Sequence, residues 1–326
     1  MGGLGDDDMD CRRVGLLLLM LGLAGTAQAG PYRAPRTPWG APNLQGMWSN
    51  FALTRLERPK GVEGLTPKPG ADIGAIERLI YDSILPADPL ESRASEWWAK
   101  SQMGKIDGQF RTSWITSTPD GRIPYTPEGQ RRLEAARAGA FADFSGPEAR
   151  NTSERCMLTS FSANVAPMQN PPYSALYQIV QTKDAVVIVS EIDTDARIIR
   201  LNAAPAPWRN WGGQSVGHWE KDVLVVETRG FHAQEGFRAP MFYASPDARV
   251  TERFRRISAR EIRYEFTVED PVAYKEPWKG EMPFLASSEP MYEYACHEGN
   301  NSLPGILEGA RYVEAHPEGK AAPGTK

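Results

Sequence analysis

Residues 173–296 of this 326-residue chain predict a mainly β protein. The expected fold is an antiparallel meander of roughly eight strands rolled into a lipocalin-like barrel, with a β-sandwich as the alternative. Three observations carry the prediction. Hydropathy there alternates with period two, the alternating runs meet at turns of two or three residues, and no helix-length crossover lies between them. Closure follows because it removes exposed strand edges.

The strands read in order. Residues 176–182 and 185–191 form a hairpin around Lys183-Asp184, and residues 197–201 form a further short strand. Residues 215–220 and 223–228 flank Lys221-Asp222, and residues 251–257 and 261–269 flank Ser258-Ala259-Arg260. Residues 292–296 read as the last strand, and residues 306–316 as a C-terminal helix.

Ahead of the strands, residues 30–150 read as an N-terminal wrap and helical segment. The first part is rich in Pro and Gly, and its stretch 43–48 docks Trp48 onto the body. Helices are expected over 75–84, from Ser95, and from Thr126-Pro127-Glu128 to about residue 141. At the last start Thr126 caps, Pro127 fits the first turn and Glu128 faces the positive end of the helix dipole. Residues 151–316 form the expected barrel domain with its C-terminal helix, and 317–326 a disordered tail.

Residues 1–29 read as a cleavable signal peptide: Arg12 and Arg13, an apolar run from Val14 to Ala24, then Ala27-Gln28-Ala29 as the cleavage pattern. That run is too short to span a bilayer core, which takes roughly 20 residues. A periplasmic or secreted protein is expected. With Lys+Arg 37 against Asp+Glu 41 the formal charge is −4, which leaves no electrostatic footprint for nucleic acid. Cys11 leaves with the signal, so Cys156 and Cys296 remain, and an oxidising compartment favours a disulfide between them. Closing a loop of about 140 residues would contribute on the order of 4–5 kcal/mol in the chain-entropy account. Two separately buried thiols are the alternative.

Three stretches resemble motifs of a family of exported (periplasmic) bacterial proteins. They are Gly217-His218-Trp219-Glu220-Lys221-Asp222-Val223-Leu224-Val225-Val226-Glu227-Thr228, Glu269-Asp270-Pro271, and Tyr294-Ala295-Cys296-His297-Glu298-Gly299-Asn300. Thr126–Gln130 and the stretch from Asp195 to Ile199 are similar as well. The family pattern carries His where this chain has Thr194, and Gly where it has Lys221. The resemblance implies an exported, mostly β domain and transfers no catalytic residue.

Candidate chemistry gathers in three places. His297 and Glu298, next to Cys296, offer an imidazole that titrates near neutrality beside a carboxylate; capping of the following helix by Glu298 and Asn300 is the structural alternative. Glu191, Asp193 and Asp195 alternate, which puts three carboxylates on one side of an extended chain, with Arg197 to neutralise them. His218 and Trp219 stand before a turn, and His232 follows Phe231. The four His never fall at zinc-site spacing, no Gly-x-Ser-x-Gly elbow occurs, and no Gly-rich loop follows a strand. No metal and no cofactor are expected.

Three functions fit. The first is a binder of a small amphipathic or aromatic metabolite in a barrel cavity lined by Trp211, His218, Trp219, Phe231, Tyr294 and Asn300. The second is a cofactor-independent acid–base enzyme (lyase, isomerase or hydrolase) with His297 as base, Glu298 or Glu191 as acid, and Arg197 holding an anionic group. The third is an envelope protein–protein interaction module.

Overall fold

Strict alternation along the strands dictates a wall with an apolar inner face. In residues 261–269 the side chains of Ile262, Tyr264, Phe266 and Val268 are buried, while Glu261, Arg263, Glu265, Thr267 and Glu269 between them are partly exposed. The computed structural model describes residues 32–84, 101–158, 163–192, 195–232, 237–238 and 242–317, with only the backbone described at 139–141 and 237–238. The expected signal peptide, the helix from Ser95, Asp193, Thr194 and the tail beyond 317 lie outside these residues.

Nine strands form a closed barrel. They are β1 (Gly46–Ser49), β2 (Leu176–Gln181), β3 (Ala185–Ser190), β4 (Ala196–Leu201), β5 (Gln214–Glu220), β6 (Val223–Arg229), β7 (Arg249–Arg256), β8 (Glu261–Glu269) and β9 (Trp278–Ala286). Each pairs with its neighbours in sequence, and β1 closes the ring between β2 and β9. The fold is therefore mainly β, a closed barrel of the lipocalin-like kind. The long-range contribution is β1, where Trp48 is 1% exposed. Beyond β1 the same edge of β9 is continued by residues 114–116, with Glu281 N–H donating to Trp114 O at 2.9 Å and Thr116 N–H to Lys279 O at 2.9 Å.

An odd number of strands cannot alternate in direction all the way round a closed ring, so at least one junction must be parallel. Here it is β4–β5. A parallel pair needs a crossover of about a dozen residues, and residues 202–213 supply it. The register at this seam holds only Arg200 opposite Val216 and Leu201 opposite Gly217. By contrast, β7 and β8 pair from Arg249 opposite Glu269 to Arg256 opposite Ile262.

The barrel interior is filled. Inward side chains include Trp48, Tyr177, Ile188, Phe254, Tyr264 and Phe284, all buried in one core cluster. Tyr177 meets Phe284 edge-on at 5.1 Å between ring centroids, and Tyr264 meets Phe284 at 5.7 Å. The irregular segment 163–170 is buried along its whole length and packs into this cluster through Ala163, Val165, Ala166 and Met168. A buried coil must satisfy its backbone groups. Met168 N–H donates to Tyr264 OH at 2.8 Å, and Gln169 O accepts from Asn50 Nδ2 at 3.2 Å.

Helix α1 (Ile73–Ile84) and α2 (Pro127–Ala142) fall where Pro, Thr and apolar spacing place them. Thr126 Oγ1 accepts the N–H of Gly129 at 2.9 Å, the expected cap. Two expectations change. Residues 292–295 form no strand, and Cys296 opens a one-turn helix, α3 (Cys296–Gly299), followed by α4 (Ser302–Ala315). The last strand is instead β9, whose Gly280 and Pro283 interrupt the period-two signal. Gly280 lies opposite Phe266, and a Cβ there would come within 2.3 Å of the Phe266 ring, so the aromatic takes the space the glycine leaves.

The turn between β5 and β6 puts Lys221 at φ 56°, the left-handed region in which a side chain costs roughly 1–2 kcal/mol. Lys221→Gly is expected to stabilise the fold by up to about 1 kcal/mol, raising the thermal midpoint by about 2–4 °C. Calorimetry of the variant checks this; a lower midpoint would contradict it.

Candidate functional site

Inward phase decides which polar side chains enter the barrel. On β4 the buried positions are Arg197 and Ile199; on β7 they are Val250, Glu252 and Phe254. Arg197 and Glu252 therefore meet inside, although 55 residues separate them. Arg197 Nη1 donates to Glu252 Oε1 at 2.9 Å, and Nη2 bonds Glu252 Oε2, a two-pronged pair with both side chains almost wholly buried.

Neighbouring strands complete the ring. Arg197 Nε donates to Ser215 Oγ of β5 at 2.9 Å, and Nη2 donates to Thr228 Oγ1 of β6 at 2.8 Å. Ser215 and Thr228 face each other across the strands with their hydroxyls 2.9 Å apart. Tyr264 OH of β8 donates to Glu252 Oε1 at 2.8 Å and accepts Met168 N–H. Five consecutive strands, β4 to β8, thus each place one polar group in a connected layer. Burial opposes the guanidinium charge, but Glu252 outweighs it and the Arg197 pKa is raised. Burial, followed by the Glu252 charge, pushes the Tyr264 phenol well above its ordinary value.

A cleft of about 370 Å³ opens on this layer at the β4–β5 seam. Its lining includes the polar Asn164, Asp195, Arg197, Asn210 and Gln214, the apolar Leu158 and Ile198, and Gly212. Asp195 stands just ahead of β4 in the inward phase of Arg197. Its carboxyl pKa is raised, because burial disfavours the anion more than Ala196 N–H and Arg197 favour it. A carboxyl with a raised folded-state pKa binds its proton more readily folded than unfolded. Asp195 therefore lowers stability as pH rises from the ordinary carboxylate range through its own pKa.

The remaining candidates are dispersed. His297 and Glu298 are exposed on α3. Cys156 and Cys296 form the disulfide, and Asn300 braces it by donating from Nδ2 to Glu154 O at 2.8 Å. Tyr294 packs partly buried against the core and, with Asn300 and both cysteines, lines a separate depression of about 420 Å³. Glu191 is buried and accepts Tyr292 N–H at 3.3 Å. Trp211 stacks on His232 with ring centroids 4.1 Å apart, and the Arg155 guanidinium lies over the Trp211 ring at 5.6 Å. His218 is exposed and contacts Glu220 at 3.2 Å. Trp219 packs against the core, and Phe231 lies within it.

Of the earlier candidates, the seam cleft contains Asp195 and Arg197. Asn164, Ser215, Thr228, Glu252 and Tyr264 were not singled out. Glu252 sits between Thr251 and Arg253 in a charged run that reads as a solvated face, and only the strand's phase reveals it as inward. Among the described residues no group of three His, Cys, Asp or Glu side chains could hold a metal ion. No helix among them is long and apolar enough to cross a membrane.

Removing one member of a buried pair leaves the other charge uncompensated, which costs about 3–5 kcal/mol. Glu252→Gln is expected to destabilise by that amount in urea titration. The double variant Arg197→Met/Glu252→Leu should cost less than Glu252→Gln alone. Equal or greater loss in the double variant would contradict the reading.

Compared with known protein families, curated proteins and solved structures, the chain finds no match, so the geometry of the seam alone bears on function.

Proposed function

We propose that this is an exported small-molecule binder whose amphipathic or aromatic ligand sits in the cleft at the β4–β5 seam. The carrying observation is an opening of ligand size lined by Asp195, a partly buried carboxyl, and by Asn164, whose buried Oδ1 has no hydrogen-bond partner. Binding sites concentrate such unfavourable groups because a ligand, rather than the fold, relieves them. The volume of about 370 Å³ falls within the usual range for small-ligand sites. Ile198, which lines the cleft, belongs to an apolar row on the outside of the wall. Val180, Val187 and Ile198 lie in register across β2, β3 and β4, and Val180 and Ile198 are exposed.

The disulfide supports export, since such bonds persist in the periplasm and outside the cell. The near-neutral charge supports a partner other than nucleic acid. The acid–base reading gathers no comparable support: His297 and Glu298 are exposed, and Arg197 has Glu252 as its counter-ion.

Thermal-shift measurement of the purified exported protein against a panel of small aromatic and amphipathic metabolites tests the reading. A ligand at a hundredfold its Kd adds about 2.7 kcal/mol, a shift of several degrees. Gly212 has open space around its Cβ position, so Gly212→Trp should fold, fill the cleft and abolish the shift. Shifts that persist in Gly212→Trp, or a panel without any stabilising member, would overturn the proposal.

A further inference from the structure

We infer that the seam cleft receives the nitrogen end of an amphipathic amine, with Asp195 as counter-charge and Asn164 Oδ1 as a second acceptor. This assignment of ligand class rests on the small-molecule reading above.

Asn164 is 3% exposed. Its Nδ2 donates to Ile188 O at 3.0 Å and to Asp195 O at 2.8 Å. Two carbonyls can be served only by the amide NH2, so the orientation of the group is fixed by chemistry. Oδ1 then has no hydrogen-bond partner. A buried acceptor without a partner is rare in folded proteins and calls for a donor.

Asp195 supplies a second acceptor next to it, held to Asn164 through its own backbone carbonyl. No cation lies within ion-pair distance of its carboxylate among the described residues. A positively charged donor brought by a ligand would satisfy Asp195 as well as Asn164 Oδ1.

The two guanidinium groups that line the cleft, Arg197 and Arg200, are largely committed elsewhere. Of the five N–H groups of Arg197, four are engaged by Ser215, Thr228 and Glu252. Arg200 is exposed and donates to Ala204 O at 3.0 Å. A carboxylate ligand would meet Asp195 without a free guanidinium to offset it. A neutral alcohol could donate one hydrogen bond but would leave the Asp195 charge uncompensated. Leu158 and Ile198 favour an apolar body behind the nitrogen.

Isothermal titration at pH 7 with 2-phenylethylamine, 2-phenylethanol and 3-phenylpropionate separates these classes by one functional group. The amine is expected to bind at least tenfold more tightly than either analogue. Asp195→Asn should weaken the amine by about ten- to hundredfold, the range of a hydrogen bond to a charged group. Without ligand the same variant should melt at or above the wild-type temperature, which separates lost binding from lost folding. Preference for the alcohol or carboxylate, unchanged amine affinity in Asp195→Asn, or no amine binding overturns the inference. Alcohol or carboxylate binding that disappears in Gly212→Trp would overturn only the amine assignment and leave the binder reading standing. Binding unaffected by Gly212→Trp would remove both.

Discussion

The barrel is organised around one buried ion pair, Arg197 with Glu252. Two desolvated charges are expensive in isolation and tolerable only with good geometry and further hydrogen bonds. Here Ser215 and Thr228 take two further guanidinium donors, and Tyr264 donates to the carboxylate while accepting Met168 N–H. The consequence is register. Shifting β4 or β7 by one residue would turn Arg197 or Glu252 to the outside and strand its partner in the interior. The same layer holds the irregular segment 163–170 through Tyr264, which is why the barrel has a packed interior in place of a central hollow.

Strand number supplies the second constraint. With nine strands, one junction has to be parallel, and a parallel junction brings a long crossover and little shared register. The layer of polar groups crosses the wall at that junction, since Arg197 comes from β4 and Ser215 from β5. A weakly paired part of the wall is therefore braced from within by a charged hydrogen bond. A cleft can open there without unravelling the barrel, because the strands on either side are tied by the guanidinium rather than by a continuous ladder. Asp195 and Asn164 line that opening, and Asn164 Oδ1 is an acceptor that the fold leaves without a donor.

Much of the wall was legible from alternation alone. The runs that became β2 to β8 were readable because charged outward residues mark their phase, as Arg263 and Glu265 do in β8. Lys183-Asp184 and Lys221-Asp222 were readable as tight turns by their position between such runs. β9 was not, since Gly280 and Pro283 are poor strand residues whose tolerance depends on Phe266 and on neighbouring strands. The inner segment was also missed, though a signal exists: no Lys, Arg, Asp or Glu occurs between Arg155 and Lys183. An uncharged stretch with neither helical nor strand period is the mark of buried coil. The site was harder still. Arg197 looked like a group for holding an anion, and nothing local shows that Glu252 is its partner. Which carboxylate meets which cation is set by closure of the ring, a property of all the strands together.

A crystal structure of the protein with 2-phenylethylamine tests the central claim most directly. The account places the ammonium between Asp195 and Asn164 Oδ1, with the phenyl ring toward Ile198 and Arg197 still bonded to Glu252. Arg197 released from Glu252 to meet the ligand, or the amine bound away from the β4–β5 seam, would contradict it.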